Sequence, residues 1–332
     1  MGSPLVLYNC MNLRSPPEER KRQLGYLSAK LRISNSGDVM THPAIGFIGL
    51  GTMGGAMCRH VIEADFPVTV WARSQDRGAS HLDDGAGWAT SAKDLATSSD
   101  IIILCVSNDG AVEDLVFGQN GVASGEVFGK TLVDHSTIHP ENTRKWAARL
   151  SDEAGMCWID APVSGGPGGA ARGELVIMAG GKIGDFETIR PVLETYSKQA
   201  TLMGPVGAGQ ATKVCNQLII GAEICAIAEA LNFAARFGMN AAGLADALQG
   251  GWADSPVLQD HGRRMAAADY SDPADASMMM KDMDIACDMG RTTESPMPVS
   301  DIVQSLYRRA IEEGHMDGGQ IAPMRLYSKT PL

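Results

Sequence analysis

Aromatic residues are scarce: Phe, Trp and Tyr make up 5% of the 332 residues, whereas glycine contributes 38. That balance suits an α/β protein with tight glycine turns better than an all-β sandwich. Paired cysteines are also lacking. The seven cysteines, at 10, 58, 105, 157, 215, 225 and 287, are odd in number and never form Cys-x-x-Cys. A disulfide framework and a structural zinc are thereby disfavoured, and a reducing compartment is the simplest reading. There is no excess of base: 28 basic against 39 acidic residues leave a net charge of -11, without the electrostatic footprint of a nucleic-acid binder. No long apolar run is free of charge. The longest, near 218–235, contains Glu223 and Glu229. A charge at membrane depth costs ~2.5–3.5 kcal/mol, so this run reads as a buried helix and no membrane partner is expected. What remains is an ordinary globular balance, 44% apolar and 20% charged, in a chain long enough for two domains at ~100–200 residues each.

The first 41 residues differ from the rest. They carry Arg14, Arg20, Lys21, Arg22, Lys30 and Arg32 against Glu18, Glu19 and Asp38, which leaves -14 on the remainder. No amphipathic period runs through them, Pro16-Pro17 interrupts them, and no apolar core follows to make a secretory signal. Residues 1–41 are expected to be a disordered or non-native extension. Three origins compete: a start assigned too early, with Met40 the true one; a native tail; and a mitochondrial transit peptide, which the three acidic residues fit poorly. The expected location is cytoplasmic, or the mitochondrial matrix if the transit reading holds.

From Ile45 the pattern becomes regular. Ile45-Gly-Phe-Ile-Gly49 is a short apolar strand, Gly49-Leu-Gly51-Thr-Met-Gly54 follows at once, Gly55–Ala64 reads as a helix and Pro67–Trp71 as a second strand. A Gly-x-Gly-x-x-Gly between strand and helix at βαβ spacing is the dinucleotide-binding signature. Gly49 permits the tight turn, Gly51 lets a pyrophosphate approach the backbone, and Gly54 lets helix and strand pack closely. The phosphates then meet N–H groups at the helix start, with Leu50, Thr52 and Met53 completing the turn. Further strands are expected at 100–106, 131–134 and 156–160, separated by helices at 109–117 and 140–154. In such a doubly wound parallel sheet the ligand crevice lies beyond the carboxyl ends of the strands. Val106, Ser107 and Asn108, and Ser136 with Thr137, should therefore face the cofactor. His135 and His139 stand four apart on a loop beside Pro140 and read as ordinary polar positions; no metal site is expected.

Alternation stops near residue 203, at the breaker cluster Gly204-Pro-Val-Gly-Ala-Gly209. Gln210–Phe237 contains no proline and reads as one helix of roughly 40 Å. Shorter helices are expected at 241–248, 256–268, 275–289 and 298–313. The expected organisation is a Rossmann-type dinucleotide domain over 42–205 followed by an all-helical domain over 206–332. Met278-Met-Met280 reads as packing between helices. Trp252 and Ser255, after a glycine pair, are placed in a loop with the substrate border as one of two readings.

Four ordered segments carry a family resemblance: Gly46-Phe-Ile-Gly-Leu-Gly-Thr-Met-Gly54, Asp160-Ala-Pro-Val-Ser-Gly-Gly166, Gly207-Ala-Gly-Gln-Ala-Thr-Lys213-Val-Cys-Asn216 and Lys281-Asp-Met-Asp284. Over about 44–327 the chain resembles the β-hydroxyacid dehydrogenase family, which includes 3-hydroxyisobutyrate dehydrogenase and tartronate semialdehyde reductase. The resemblance implies that Lys213 is catalytic. Asn216 stands one turn on, on the same helix face. Ser164, Gly165 and Gly166 match the loop that holds the substrate carboxylate, and Thr137 and Lys281 match cofactor-contacting positions. It implies a small carboxylate substrate and a homodimer or homotetramer. Within the family, 6-phosphogluconate dehydrogenase is disfavoured because Asn216-Gln217 stands where that branch has a His-Asn pair. Imine reductases and non-catalytic scaffolds are disfavoured because the lysine is retained. The expected activity is hydride transfer between a nicotinamide and a small 3-hydroxy acid or its semialdehyde, with tartronate semialdehyde, succinic semialdehyde or glyoxylate reduction as alternatives.

The choice of dinucleotide is read from the end of the second strand. An NAD site places a carboxylate there for the ribose 2′-OH. Here Ala72, Arg73 and Ser74 follow Val68-Thr-Val-Trp71, and no acidic residue occurs before Asp76. Arg73 can pair with a 2′-phosphate and Ser74 can add a hydroxyl. NADP is the expected cofactor, with NAD the alternative.

Overall fold

The computed structural model describes residues 42–271 and 275–327; the extension expected at 1–41 lies outside them. The chain forms two compact units. One holds 42–136 and Pro140–Gly209; the other holds Thr137–His139 together with 210–327. Against the boundary expected at 205/206, three residues that follow the fifth strand thus group with the helical unit.

In the first unit, β1 (Ile45–Ile48), α1 (Thr52–Glu63), β2 (Val68–Trp71), α2 (Ala79–Asp83), β3 (Gly87–Trp88), α3 (Ala92–Ser98), β4 (Ile101–Leu104), α4 (Asp109–Phe117), β5 (Thr131–Asp134), α5 (Pro140–Ala154) and β6 (Cys157–Asp160) alternate. The strands pair in parallel in the order β3-β2-β1-β4-β5-β6, the doubly wound arrangement in which sequence order reverses beside β1. β1, β4 and β5 are buried at every position, as a sheet covered on both faces requires. Phe47, Val70, Ile103, Val133 and Ile159 share one core cluster, while Ile102, Leu104 and Leu132 between them are equally buried.

The sheet continues past the expected strands. β7 (Val163–Ser164), α6 (Gly166–Ala171), β8 (Leu175–Gly180), α7 (Ile183–Leu193) and β9 (Ser197–Gly204) follow. β8 runs antiparallel to β6 and β7 and parallel to β9. β3 was also unforeseen; two residues carry no periodicity. Helix α1 starts at Thr52 rather than Gly55, because glycines 54 and 55 are tolerated inside a helix where close packing replaces propensity.

The helical unit begins within α8 (Ala208–Phe237). α9 (Leu244–Leu248), a π turn over Leu258–Gly262 leading into α10 (Arg263–Ala266), α11 (Ala276–Thr292), α12 (Pro298–Glu312) and a 3-10 segment (Met316–Leu326) follow. Asp275 caps α11 by accepting from the Ser277 N–H, and Pro298 opens α12 where its missing N–H costs nothing. Met279 and Met283 pack with Cys225, Val303 and Tyr307, so the methionine run is packing at its centre, while Met278 is exposed.

Helix α8 corrects the expectation of a buried helix. Ile224, Ala228, Leu231 and Ala234 are buried against Met265, Ile321 and Met324. Ile219, Phe233 and Phe237 are exposed by 62%, 64% and 72%. By length and composition alone this helix could cross a membrane, and only 33% of its most apolar stretch is buried.

Candidate active site

The glycine turn after β1 is built by exclusion. Gly49 has φ +95, and a Cβ there would stand 2.2 Å from the Cys105 carbonyl oxygen. A Cβ on Gly54 would stand 2.0 Å from the Gly49 oxygen. Both positions are closed by the protein's own backbone. Gly51 is different, since a Cβ there meets nothing within 4 Å. Its smallness serves no internal contact and leaves room outside. Gly51 is also the N-cap of α1, which has no side-chain cap and no acidic residue in its first turn. Amides at a helix start with no anion of their own suit a phosphate. The residues present therefore fit a dinucleotide. Leu50 is buried in the core and Met53 packs against it, so these two offer backbone only, whereas Thr52 is exposed.

Arg73 and Ser74 are exposed just after β2, and Ala72 is buried. After β4, the Val106 N–H donates to Ser136 Oγ at 3.0 Å. Ser107 and Asn108 are exposed, and Asn108 Oδ1 accepts from the Ala111 N–H as the cap of α4. Ser136, expected to face a ligand, is instead buried at 1% exposure and braces Val106. His135 lies on the loop after β5 as expected, but it is buried rather than an ordinary polar loop position: its Nδ1 donates to the Ala161 carbonyl at 2.5 Å and its Nε2 accepts from the Tyr196 hydroxyl at 2.9 Å. Burial holds its pKa down at about 4, so it stays neutral.

Ser164 is half-buried and Gly165 and Gly166 are exposed. The two glycines have φ +129 and +60, a turn that side chains other than glycine adopt only with strain. Asp160, at the end of β6, accepts from the Gly207 N–H at 2.7 Å. It thereby ties the segment that opens the carboxylate-loop motif to the start of α8.

The second unit assembles polar side chains. Lys213 on α8 is 8% exposed. Burial lowers its pKa to about 8; the Asp282 carboxylate opposes that shift and the Lys281 charge adds to it. Four residues on, Gln217 Nε2 donates to Asp282 Oδ2 at 2.7 Å. Asn216 Nδ2 donates to Gln217 Oε1 at 2.8 Å. Lys281 Nζ lies 3.2 Å from Asp282 Oδ1 and donates to the Thr137 carbonyl at 2.5 Å. Gln210 Oε1 accepts from the Ile138 N–H, and His139 faces Asp288 at 3.2 Å. The structure thus brings Thr137, Lys213, Asn216 and Lys281 into one network, and it is these contacts that draw 137–139 into the helical unit. Gln217 and Asp282 belong to the same network and were not singled out from the sequence. Their signals were present: Gln217 is at i+4 from Lys213, and Asp282 adjoins Lys281 in a motif already singled out. Trp252 is fully exposed, and Ser255 Oγ accepts from the Leu258 N–H to cap the turn that follows. Among the described residues no three His, Cys, Asp or Glu side chains are grouped to hold a metal.

Comparison with known proteins places this geometry. Residues 44–204 match the model of the NAD binding domain of 6-phosphogluconate dehydrogenase. Residues 207–327 match that of the NAD-binding domain of NADP-dependent 3-hydroxyisobutyrate dehydrogenase. The chain is 36% identical to the 2-hydroxy-3-oxopropionate reductase of Escherichia coli K12, over 81% of this chain and 92% of that one. Among solved structures it resembles Mycobacterium tuberculosis 3-hydroxyisobutyrate dehydrogenase with L-serine, at 26% identity and a TM-score of 0.77, covering 86% of this chain and 99% of the other. It also resembles Psf3 in complex with NADP+ and 2-OPP, at 25% identity and a TM-score of 0.77, covering 86% and 100%. With the glycine turn, the retained lysine and matches over both units, the chain belongs to the β-hydroxyacid dehydrogenase family of NAD(P)-using oxidoreductases.

Proposed function

We propose that the chain transfers a hydride between NADP(H) and a small 3-hydroxy acid or its semialdehyde. The observation that carries this reading is Lys213, an amine buried on α8 and held at a pKa of about 8. A free lysine near ~10.4 is too basic to exchange a proton at neutral pH, whereas one near 8 serves both directions. As an ammonium it donates to the carbonyl oxygen that becomes the hydroxyl; as an amine it accepts the hydroxyl proton in oxidation. Its positive form also stabilises negative charge developing on that oxygen. In the first unit the 49–54 turn, Arg73, Ser74 and the 106–108 loop would hold the dinucleotide, which would supply the hydride carrier; in the second unit Thr137 and Lys281 match cofactor-contacting positions of the family. Asn216 donates one Nδ2–H to Gln217 and keeps the other to donate to the reacting oxygen. The Ser164-Gly165-Gly166 turn offers backbone N–H groups to the substrate carboxylate, with no side chain in the way.

The named relatives support a three-carbon acid with oxygen at C3: one acts on 2-hydroxy-3-oxopropionate, another was solved with L-serine. The second reading, reduction of a semialdehyde as the working direction, is favoured by Lys213 being mostly ammonium below pH 8. The exposed stripe of Ile219, Phe233 and Phe237 on α8 supports self-association into a dimer or tetramer, because a monomer rarely leaves such a face to water. The test is a panel of 3-hydroxyisobutyrate, glycerate, threonate, succinic semialdehyde and glyoxylate, followed by absorbance of the reduced nicotinamide. Turnover of none of them overturns the proposed substrate class.

A further inference from the structure

The first unit contains a buried carboxyl group that the proposed chemistry does not use. Asp134 ends β5, one strand from the glycine turn's neighbour β4, and is fully buried. Its Oδ1 accepts from the Ser136 N–H at 2.9 Å, and the Ser136 hydroxyl bonds it as well. That same hydroxyl oxygen accepts from the Val106 N–H. Asp134 Oδ2 is buried with no hydrogen-bond partner. A buried carboxyl with an unpaired oxygen is a costly feature to keep for packing alone.

We infer that Asp134 is a positioning residue for the dinucleotide: through the Ser136 hydroxyl its carboxyl orients the Val106 amide, and so the 106–108 loop, more firmly when ionised than when protonated. This rests on the reading that the 106–108 loop faces the cofactor.

An ionised carboxylate can only accept. It commits the Ser136 proton to itself, which leaves a hydroxyl lone pair for the Val106 N–H. Bonds to a charged acceptor are roughly twice as strong as neutral ones, so the chain of two bonds is stiffest with the carboxylate charged. The groups facing Asp134 set when that happens. Burial pushes its pKa up to about 7; the two Ser136 bonds pull it down, and Asp160 on β6 and Asp109 at the start of α4 push it up. The Cys105 thiol after β4 is raised to about 12 and His135 is lowered to about 4, so both are neutral. The hold therefore strengthens as pH rises through about 7.

The experiment measures NADPH dissociation constants by titration calorimetry for the wild type, Asp134→Asn, Ser136→Ala and the double variant. The same ligand is used at each pH, so its own titration cancels in ratios between proteins. The expected result at pH 8.5 is that each single variant binds about fivefold to tenfold more weakly and the double variant no more weakly than the singles. At pH 5.5 wild type and Ser136→Ala should agree within about twofold, the charge-assisted part having been lost. If Asp134→Asn does not fold, the pH dependence of the ratio between wild type and Ser136→Ala still decides. A ratio constant between pH 5.5 and 8.5, or additive losses in the double variant, overturns the role of Asp134. No loss in either single variant likewise overturns the role of Asp134, whereas NADPH affinity unchanged in Ser107→Trp, which places bulk on the exposed loop itself, separately overturns the assignment of the 106–108 loop to the cofactor.

Discussion

The two units build their sites from opposite materials. In the sheet unit the proposed working positions are places where a side chain is missing: Gly49, Gly51 and Gly54 before α1, and Gly165 and Gly166 before α6. In the helical unit they are side chains, Lys213, Asn216, Gln217, Lys281 and Asp282, held in one network on α8 and α11. A backbone site recognises what is common to its ligands, phosphates and a carboxylate, through N–H groups that cannot titrate. A side-chain site can move a proton, and its acidity depends on every neighbour.

The sharpest break in this comparison is Lys213→Ala. We expect kcat to fall by ~10²–10⁴-fold while NADPH affinity stays within about threefold, because only the side-chain site loses its chemistry. Calorimetry beside steady-state kinetics checks this, and a variant keeping more than about a tenth of wild-type kcat would show the proton handled elsewhere.

Next comes the cofactor's distal end. Ala72→Asp with Arg73→Ala should shift the ratio of kcat/KM for NADPH over NADH toward NADH by about ten- to a hundredfold, since one charge-assisted pair is worth ~1.5–3 kcal/mol. A wild-type enzyme that prefers NADH would refute the reading of Arg73.

The glycines allow a sharper contrast within one turn. Gly54→Ala forces a Cβ against the Gly49 oxygen and should cost about 1–3 kcal/mol, a melting drop of several degrees. Gly51→Ala meets no protein atom, so melting should stay near wild type while NADPH binding weakens about tenfold or more. Equal melting losses in the two variants would contradict the assignment of Gly51 to the ligand.

The smallest expected effect concerns pH. Oxidation should rise, and reduction fall, as Lys213 loses its proton near pH 8. Asp282 raises the lysine's pKa, so Asp282→Asn should move the midpoint of the kcat profile to lower pH, by about a unit or less. An upward shift, or none, would separate Asp282 from the lysine.

By itself the sequence determined the glycine turn, the strands β1, β2, β4, β5 and β6 with the helices α1, α4 and α5, the long helix and the candidate lysine. These are local: a turn that only glycine can make, apolar runs four residues long, a helix without proline. The sequence misjudged what depends on distant partners. The two-residue strands β3 and β7 carry no period of their own and exist because a neighbouring strand has backbone groups to pair, whereas β8 is an apolar run like the others that the sequence reading passed over. Ser136 looked like a ligand-facing polar residue and is a buried brace, because Asp134 and Val106 stand on either side of it only once β4 and β5 pair. His135 likewise is a core group because Ala161 and Tyr196 reach it from other strands and turns. Lys213 was legible as a candidate, but its acidity was not. Burial, and a carboxylate 69 positions away in the chain, set that acidity, and only the packing of α11 on α8 through Gln217 and Asp282 brings them about.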